Sequence, residues 1–220
     1  MDTDLRHLVK KELLEDDYEA RSFFLSHFES EISAFINVMA QAYHSWIKYD
    51  STVRTNRRRA YVSAFLFNAF NNLLASMKLF ISGYSIPSGN LVRQTIESIC
   101  SAILCSNEKL QIYQQIDQNK FSSKNAGKLV LKYSKTFNID QKAMQSLMKL
   151  YEFYHKFSHT SLLALAHNIS FSNIGRIYVG PSFDDKKMFA YRKEVSSRVN
   201  LAKTISNVIE GILVEQEKHS

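Results

Sequence analysis

The sequence predicts an all-α protein, an up-and-down bundle of long helices with one irregular loop near residues 168–182. Three observations support this class. The 220 residues include only six glycines and two prolines, so few residues favour the turns that many short strands would need. Apolar residues recur three and four positions apart over long stretches, which is the spacing of one helix face. The chain shows no internal repeat, low-complexity tract or linker, so we expect a single helical domain over residues 1–220.

The first half of the chain is predicted to hold four helices. We expect a short amphipathic helix over residues 4–17, peripheral to the rest, and a long helix over residues 20–50. A basic segment over residues 54–59 precedes another long helix over residues 60–81. After the next break, Pro87 suits the first turn of a helix that ends near residue 105.

The second half is predicted to contain shorter elements and a last long helix. We expect one or two lysine-rich helices over residues 108–136. The segment Asn138-Ile139-Asp140 is a capping signal for the helix that contains two histidines. Residues 168–182 are rich in Asn, Ser, Gly and Pro, which predicts a loop with a short extended piece at residues 177–179. The last helix is expected over residues 184–217.

Composition limits the compartment and the partners. The net charge is +7, with acidic residues concentrated near the N-terminus and lysines concentrated over residues 109–142. A chain polarised in this way can bind an anion, or can pair its own halves or two subunits. Cys100 and Cys105 are interpreted as reduced core thiols. The apolar stretch over residues 61–81 contains three asparagines and a lysine, which argues against a membrane span. With no signal peptide either, we expect a cytoplasmic protein.

A histidine pair in the segment Tyr151–His159 is the most informative chemical feature. His155 and His159 are four residues apart, so on a helix they lie on one face, one turn apart. Met148 and Leu162 share that face, which predicts that the pair points into the interior. A buried imidazole is costly unless it has a partner or a function.

Three interpretations of the histidine pair stay open. The pair can be two core histidines that hydrogen-bond to neighbouring helices, or a site of acid–base chemistry or anion binding near neutral pH. The third interpretation is a metal site, because His-x3-His can bind zinc and Glu152-x-x-His155 has the spacing of di-iron bundles. A di-iron bundle needs a second Glu-x-x-His, which the chain lacks, so we expect no metal and no cofactor.

Arg93 and Glu97 form a second candidate pair, spaced for an i,i+4 contact on the helix after Pro87. They lie at the edge of an apolar arc, so we expect partial burial. One interpretation is a structural ion pair that orients two helices. The other is an arginine held by a glutamate, with its planar guanidinium directed at a phosphate or carboxylate.

Asparagines interrupt the predicted helix over residues 60–81. We interpret Asn68, Asn71 and Asn72 as helix-to-helix hydrogen-bonding groups that set the packing register. Holding the histidines or a ligand is the alternative. His44 and Trp46 on the preceding helix are further candidates for the same interior.

Two basic clusters are predicted on the surface. The first lies at a helix start, where cations oppose the helix dipole, so local stability does not explain it. The second repeats every four residues and forms one stripe of a helix. A solvated face accounts for such a stripe, and binding to a nucleic-acid backbone is the functional alternative. The clusters are Arg54, Arg57, Arg58 and Arg59, and Lys124, Lys128 and Lys132.

Over roughly residues 60–215 the chain resembles a group of uncharacterised bacterial helical proteins. In that group a helix with Leu-x-Arg-x-x-x-Glu precedes a later helix with an aromatic-rich Ser-His segment. The resemblance implies a shared interior polar site. The matching residues are Leu91, Arg93, Glu97, Tyr154, Ser158, His159 and Ser161.

More distantly, the chain is similar to HEPN domains, all-helical modules that are frequent in toxin–antitoxin, abortive-infection and CRISPR-associated proteins. Active members cleave RNA without a metal and use an arginine that is separated from a later histidine by four to six intervening residues. This chain departs from that motif, because Lys149 and Glu152 stand at that spacing upstream of His155 and His159. Arg93 would therefore have to supply the guanidinium from another helix.

The interior polar site and this resemblance lead us to expect a HEPN-like protein, and the resemblance implies that it binds or cleaves RNA in a defence or toxin-type system. The alternative is a non-catalytic helical interaction protein whose buried polar network is structural. RNA, a second copy of the chain or another protein are the expected partners. The predicted catalytic residues are Arg93, Glu97, Tyr154, His155, Ser158 and His159, and the two basic clusters are the predicted nucleic-acid-binding residues.

Overall fold

Helices account for nearly all of the regular secondary structure. The computed structural model describes residues 3–14, 17–137, 139–159, 161–178 and 180–217. The α-helices in these ranges are α1 (Thr3–Leu14), α2 (Tyr18–Asp50), α3 (Arg57–Ile81), α4 (Ser85–Ser106), α5 (Ile112–Asp117), α6 (Ala126–Lys132), α7 (Gln141–His155), α8 (Leu162–Asn168) and α9 (Met188–Glu217). Short 3-10 helices lie at Glu108–Leu110, Ser123–Asn125, Lys156–Ser158 and Asp185–Lys187. The predicted all-α class is confirmed.

Local capping residues explain where two of these helices begin. The Asn56 side chain accepts a backbone N–H from the first turn of α3. The Asp140 side chain accepts the backbone N–H groups of Lys142 and Ala143 at the start of α7. Such caps satisfy donors that have no partner inside the helix. The cap predicted at Asp140 is confirmed, whereas Asn138 lies outside the described residues.

The long helices α2, α3, α4 and α9 build the core. Helix α3 packs along α4, and α2 packs along α9, with further contacts from α3 to both α2 and α9. Aromatic and aliphatic side chains from all four are fully buried between them, and removal of this apolar surface from water is the main force for folding. Helix α1 differs, because its side chains Leu5, Val9, Leu13 and Leu14 are exposed.

Helix α4 is covered on its remaining sides by the shorter helices of the second half. Glycines permit this close packing. A Cβ atom on Gly89 would lie 2.6 Å from Cδ1 of Phe157, so the segment after α7 crosses directly over the start of α4. A Cβ atom on Gly127 would overlap the sulfur of Met148, so α6 lies against α7. These contacts bring the histidine segment next to α4.

The helix that carries the histidines ends earlier than predicted. Helix α7 ends at His155, residues 156–158 form a 3-10 turn, and His159 has extended backbone angles (φ −128°, ψ 157°). The prediction that the two histidines share a continuous helix face is therefore wrong. Leu162, which was expected on the same buried face, is almost fully exposed.

The loop near residues 168–182 is held by Asp184. Its carboxylate accepts the backbone N–H of Phe171 at 2.7 Å and the hydroxyl of Ser172 at 2.5 Å. Burial acts to raise the pKa of Asp184, but the hydrogen bonds to its carboxylate have the larger, opposite effect. The pKa of Asp184 is therefore lowered to about 2. The predicted extended piece appears as one bridge between Ile169 and Ile177, and Val179 lies outside the described residues.

Helix α3 has the length and composition of a membrane-crossing helix. It is the one helix in the described part of the chain that does, and about a third of its most apolar window is buried inside the protein. Core helices of soluble proteins meet the same criteria.

Candidate functional site

Arg93, Glu97 and Tyr151 form a polar row on the surface where α7 crosses α4. Nε of Arg93 lies 3.9 Å from Oε1 of Glu97, and the Tyr151 hydroxyl donates a 3.1 Å hydrogen bond to the same oxygen. The side chains of Arg93 and Glu97 are 24% and 16% exposed, which agrees with the predicted partial burial. Arg93 and Glu97 therefore present a guanidinium and a carboxylate at the surface.

His155 and His159 continue this row. The His155 ring stacks on Tyr151 with centroids 6.1 Å apart, and its Nε2 lies 3.3 Å from Nε2 of His159. Two ring nitrogens at this distance share one proton, so only one ring donates. His155 is half-buried and His159 is exposed, so the prediction that the pair points into the interior is wrong. We name Arg93, Glu97, Tyr151, His155 and His159 the surface row.

The charge around His155 is mainly positive. Partial burial lowers the pKa of His155 below its ordinary value, and the nearby charges of His159, Arg93 and Lys124 lower it further, against the opposing effect of Glu97. His155 is therefore neutral at pH 7. A neutral imidazole can accept a proton from a bound ligand.

The surface row also concentrates polar atoms without partners. Five buried polar side-chain atoms lack a hydrogen-bond partner within the described residues; two belong to the row, Nε of Arg93 and Nδ1 of His155, and a third is Oδ1 of Asn90. Asn90 and Arg93 are one turn apart on α4. Buried polar atoms in folded proteins are nearly always paired, so this grouping indicates room for a partner from outside the chain.

The two other unpartnered atoms have a different setting. They are Nε of Arg21 and Nε of Arg59. The guanidinium of Arg21 donates elsewhere to Ser82, and that of Arg59 donates to the backbone oxygen of Thr52. Arg93, in contrast, makes no hydrogen bond to any described residue. Its guanidinium is held by charge alone.

The volumes of the cavities limit the size of a ligand that the protein can enclose. A cavity of about 10 Å³ lies beside Glu97, Lys124 and Tyr151, which is room for about one water molecule. A ligand of the surface row must therefore approach from solvent. A larger cavity of about 480 Å³ lies between α1, the start of α2 and the segment around Tyr178, and none of the predicted site residues lines it.

Two predicted site residues face away from the row. Tyr154 is buried in the core, where its hydroxyl donates a 2.8 Å hydrogen bond to Oε2 of Glu194, and burial raises its pKa. The Ser158 hydroxyl donates to the backbone oxygen of His155 at 2.7 Å, which closes the turn after α7. The predicted cluster of six residues thus separates into the row and two structural positions.

A second Arg–Glu cluster, missed at the sequence level, lies around Tyr154. The fully buried Arg198 donates from Nη1 to both Oε2 and the backbone oxygen of Glu194 at 2.8 Å, from Nε to Oγ of Ser76 at 3.0 Å, and from Nη2 to Oγ of Ser88. Its guanidinium also lies 4.6 Å from the ring centroid of Phe80. We name Glu194, Arg198, Tyr154, Ser76 and Ser88 the core network.

The core network joins α3, α4, α7 and α9. Ser76 and Ser88 each donate to the backbone oxygen of the other at 2.9 Å, which locks α3 to α4 beneath Arg198. A signal for this network was present in the sequence. Glu194 and Arg198 have i,i+4 spacing and interrupt the apolar face that Tyr191, Val195 and Leu201 form on α9.

Two polar side chains of α2 and α3, Trp46 and Asn68, form helix-to-helix hydrogen bonds. Asn68 donates to Oγ of Ser98 on α4 at 2.8 Å, and the Trp46 indole donates to the backbone oxygen of Ser63 at 3.2 Å. The packing interpretation is confirmed for Asn68 but is wrong for Asn71, whose side chain is exposed. His44 is exposed, so its predicted interior position is wrong.

The arginine cluster makes tertiary contacts as well as facing solvent. Arg57 pairs with a carboxylate, and two others donate to carbonyl groups at or just beyond helix C-termini, where a cation is favourable. Arg54 is exposed in a left-handed conformation with φ 44°. The contacts are Arg57 to Asp117 at 2.9 Å, Arg58 to the backbone oxygen of Ser106, and Arg59 to the backbone oxygen of Thr52 at 3.1 Å.

The lysine cluster lies beside the surface row. Lys124 is in the 3-10 helix before α6, and Lys128 and Lys132 follow along α6, all three exposed. Lys124 is close enough to affect the pKa of His155. The stripe therefore extends the positive charge of the row along α6.

The described residues offer no set of side chains that is suited to bind a metal ion. These residues contain no group of three or more histidine, cysteine, aspartate or glutamate side chains placed to hold a metal ion. Burial raises the pKa of Cys100 and Cys105 to about 12, so both are protonated thiols at neutral pH.

Comparison with known proteins found no relative. No protein-family model, no curated protein and no solved structure matches this chain. The functional argument therefore depends on the geometry of the surface row itself.

Proposed function

We propose that this chain is a HEPN-like helical bundle that binds RNA at the surface row and cleaves it without a metal. The observation that supports this proposal is the guanidinium of Arg93, which makes no hydrogen bond to any described residue and lies beside a neutral histidine. The planar fork of a guanidinium suits two phosphate oxygens. By resemblance, we propose a cytoplasmic role in a defence or toxin-type system.

The balance of charge favours an anion over a cation. The row contains the cation Arg93, with the cation Lys124 close to His155, and Glu97 is the carboxylate that pairs with Arg93. A divalent cation would be repelled by the charges of Arg93 and Lys124, whereas a phosphate would be attracted. Lys128 and Lys132 continue the positive surface, which suits a polymer with several phosphates better than a single small anion.

Glu97 and Tyr151 act as positioning residues in this proposal. The Tyr151 hydroxyl binds Oε1 of Glu97, and that oxygen attracts Nε of Arg93. The arrangement holds the guanidinium while its remaining N–H groups stay available. The protein thus orients Arg93 before a ligand arrives, which reduces the entropy lost on binding.

In the proposed reaction, His155 accepts the proton of an RNA 2′-hydroxyl. The 2′-oxygen then attacks the adjacent phosphorus, and the bond from phosphorus to the 5′-oxygen breaks. The charged phosphorane is stabilised by Arg93, and a protonated His159 donates its proton to the departing 5′-oxygen. The products are a 2′,3′-cyclic phosphate and a 5′-hydroxyl. Because 3.3 Å is too short for both imidazoles to flank a phosphate, the exposed His159 side chain must first rotate away.

Cleavage of a labelled single-stranded RNA in the presence of EDTA tests this proposal. We expect cleavage by the native chain, none of a matched all-2′-deoxy strand, and a loss of at least about 100-fold with His155→Gln, since acid–base catalysis contributes on that order. His44→Gln is the matched control, because His44 is exposed on α2 away from the row. Equal cleavage by His155→Gln and the native chain would reject the assigned role.

RNA binding without cleavage is the second candidate function. The short distance between the two Nε2 atoms favours it, because a stable His155–His159 hydrogen bond keeps both rings from acting on a phosphate. In this case the native chain binds RNA and Arg93→Gln weakens binding, but no strand is cut. A non-catalytic interaction protein would show neither binding nor cleavage.

A further inference from the structure

A cavity of about 480 Å³ lies between α1, the start of α2 and the segment around Tyr178. Its volume is within the range of about 300–1,000 Å³ that is typical of small-molecule sites. Residues from four parts of the chain line it, because Tyr84, just before α4, completes the wall. No residue of the surface row takes part, so a ligand of this cavity is independent of the RNA proposal.

Aromatic side chains form a large part of the cavity lining. They are Phe23, Tyr84, Tyr178 and Phe183. Contacts with the core fix two of them, since Phe183 stacks on Phe23 with ring centroids 5.3 Å apart and meets the buried Phe24 edge-on at 5.0 Å. The faces of phenylalanine and tyrosine rings attract organic cations. The lining is therefore formed for such a cation before any ligand arrives.

A carboxylate of α1 also lines this cavity. A Cβ atom on Gly180 would overlap Oε2 of Glu12, so the glycine leaves the space in which this carboxylate lies. Gly180 has a φ of +77°, a conformation that glycine adopts without strain. Glu12 is half-buried, and no described residue forms an ion pair with it. Its charge is therefore available to a ligand.

The inner part of the cavity is negative. Burial raises the pKa of Tyr84, and the negative charges of Asp17 and Glu12 raise it further. Asp17 is paired with Arg21 at 3.3 Å, whereas Glu12 is not paired within the described residues. The Tyr84 hydroxyl makes no hydrogen bond to a described residue, so it can donate to a ligand or accept from one.

The mouth of the cavity carries charges of both signs. Lys11, Glu19 and Arg176 line the cavity and are exposed, whereas Glu12 and Tyr84 are half-buried. A matching ligand therefore has a cationic group at its inner end, and both an anionic and a cationic group at its outer end.

We propose that this cavity binds a free basic amino acid, arginine or lysine. The side-chain guanidinium or ammonium lies between Glu12 and the aromatic rings, where a charge-assisted hydrogen bond and the ring faces both favour a cation. The α-carboxylate lies at the mouth beside Lys11 and Arg176, and the α-ammonium lies beside Glu19. Each charge of the ligand then meets a charge of opposite sign.

A metal ion suits this cavity less well than an amino acid does. The described residues contain no group of three or more histidine, cysteine, aspartate or glutamate side chains placed to hold a metal ion. The cations Lys11 and Arg176 at the mouth would repel one, and the phenylalanine rings of the lining supply no ligand atoms.

Isothermal titration of the full chain with arginine tests the proposal. We expect saturable binding with a dissociation constant below about 1 mM. Citrulline, which has a similar shape but an uncharged side chain, should bind at least about 10-fold more weakly, because the charge-assisted contact is lost. Glu12→Gln should weaken arginine binding by a similar factor. Glu29→Gln is the matched control, because Glu29 is exposed on α2 but does not line the cavity.

Two further measurements locate the ligand and identify its class. Bound arginine should slow amide hydrogen exchange in α1 and around Tyr178, and His155→Gln, a change in the surface row, should bind arginine as the native chain does. Agmatine has the guanidinium but no carboxylate, so it should bind several-fold more weakly than arginine. The proposal is overturned by the absence of binding at 10 mM arginine, by equal affinity for citrulline, or by equal weakening in Glu12→Gln and Glu29→Gln. Equal affinity for agmatine would also reject it, in favour of a simple amine.

Discussion

Arg93–Glu97 and Glu194–Arg198 are both i,i+4 ion pairs, and each glutamate accepts a tyrosine hydroxyl from α7. Tyr151 donates to Glu97 and Tyr154 donates to Glu194. The two tyrosines are three residues apart on one helix, yet they connect the surface row and the core network respectively. The same local chemistry is thus present twice, once at the surface and once in the core.

The two pairs differ in how completely the arginine is satisfied. Arg198 is fully buried, donates to two serines and to Glu194, and lies over an aromatic ring. Arg93 is partly exposed, and its Nε is 3.9 Å from Glu97 with no hydrogen bond to any described residue. A buried charge must be paired to be tolerated, and each of the three nitrogens of Arg198 has a hydrogen-bond partner within the core. The incomplete pair is the one available for binding.

The strongest test of this difference is removal of the buried arginine. Arg198→Met should lower the free energy of unfolding by about 3–5 kcal/mol, because Glu194 is left charged and buried without its partner. Urea denaturation followed by circular dichroism measures the change. Arg192→Met, an exposed arginine paired with Glu31, is the control and should change it by less than about 1 kcal/mol. A loss of the same size in both variants would contradict a structural role for the core network.

Replacement of the surface arginine, Arg93, should weaken RNA binding and leave the stability of the fold almost unchanged. Arg93→Gln should weaken RNA binding by about 10-fold or more, because a charge-assisted contact to phosphate is lost, while the free energy of unfolding changes by less than about 1 kcal/mol. Fluorescence anisotropy with a labelled RNA measures the affinity. Arg192→Gln keeps the change in net charge equal and should bind as the native chain does. Equal weakening in the two variants would indicate a general charge effect.

The two tyrosines allow a smaller comparison on the same helix. Tyr154→Phe removes a hydroxyl from the buried network and should cost about 1–3 kcal/mol of unfolding free energy. Tyr151→Phe removes a half-exposed hydroxyl and should cost less than about 1 kcal/mol, with a modest loss of RNA affinity because Glu97 is no longer held. Thermal denaturation and anisotropy of both variants measure these effects. The reverse order of stability would show that the row, too, is structural.

The pH dependence of RNA binding gives the smallest expected effect. The pKa of His155 is lowered in the free protein, and a bound phosphate favours the imidazolium form, so binding takes up a proton. Affinity should therefore rise several-fold as the pH falls from 7 towards 5, a range in which the phosphodiester charge is constant. His155→Gln should flatten this rise, and His44→Gln should not. A native affinity that is independent of pH would remove His155 from the binding site.

Much of the fold was predictable because helix formation is a local property. The spacing of apolar residues and the scarcity of glycine and proline predicted the all-α class, and the capping signal at Asp140 predicted the start of α7. The course of the chain after His155 was not predictable in this way. Phe157 packs onto Gly89 of α4, and this distant contact accompanies the turn that ends the helix.

The candidate site was predictable only in part. The i,i+4 spacing identified Arg93 and Glu97, and the histidine pair was evident in the sequence. The surface location of the histidine pair and the burial of Tyr154 in the core depended on which side of α7 faces α9. The sequence therefore determined the helices and the reactive residue types. The tertiary structure decided which arginine is satisfied, because the partners of Arg198 include Ser76 and Ser88, 122 and 110 residues away, which only the packing of α3 and α4 against α9 brings together.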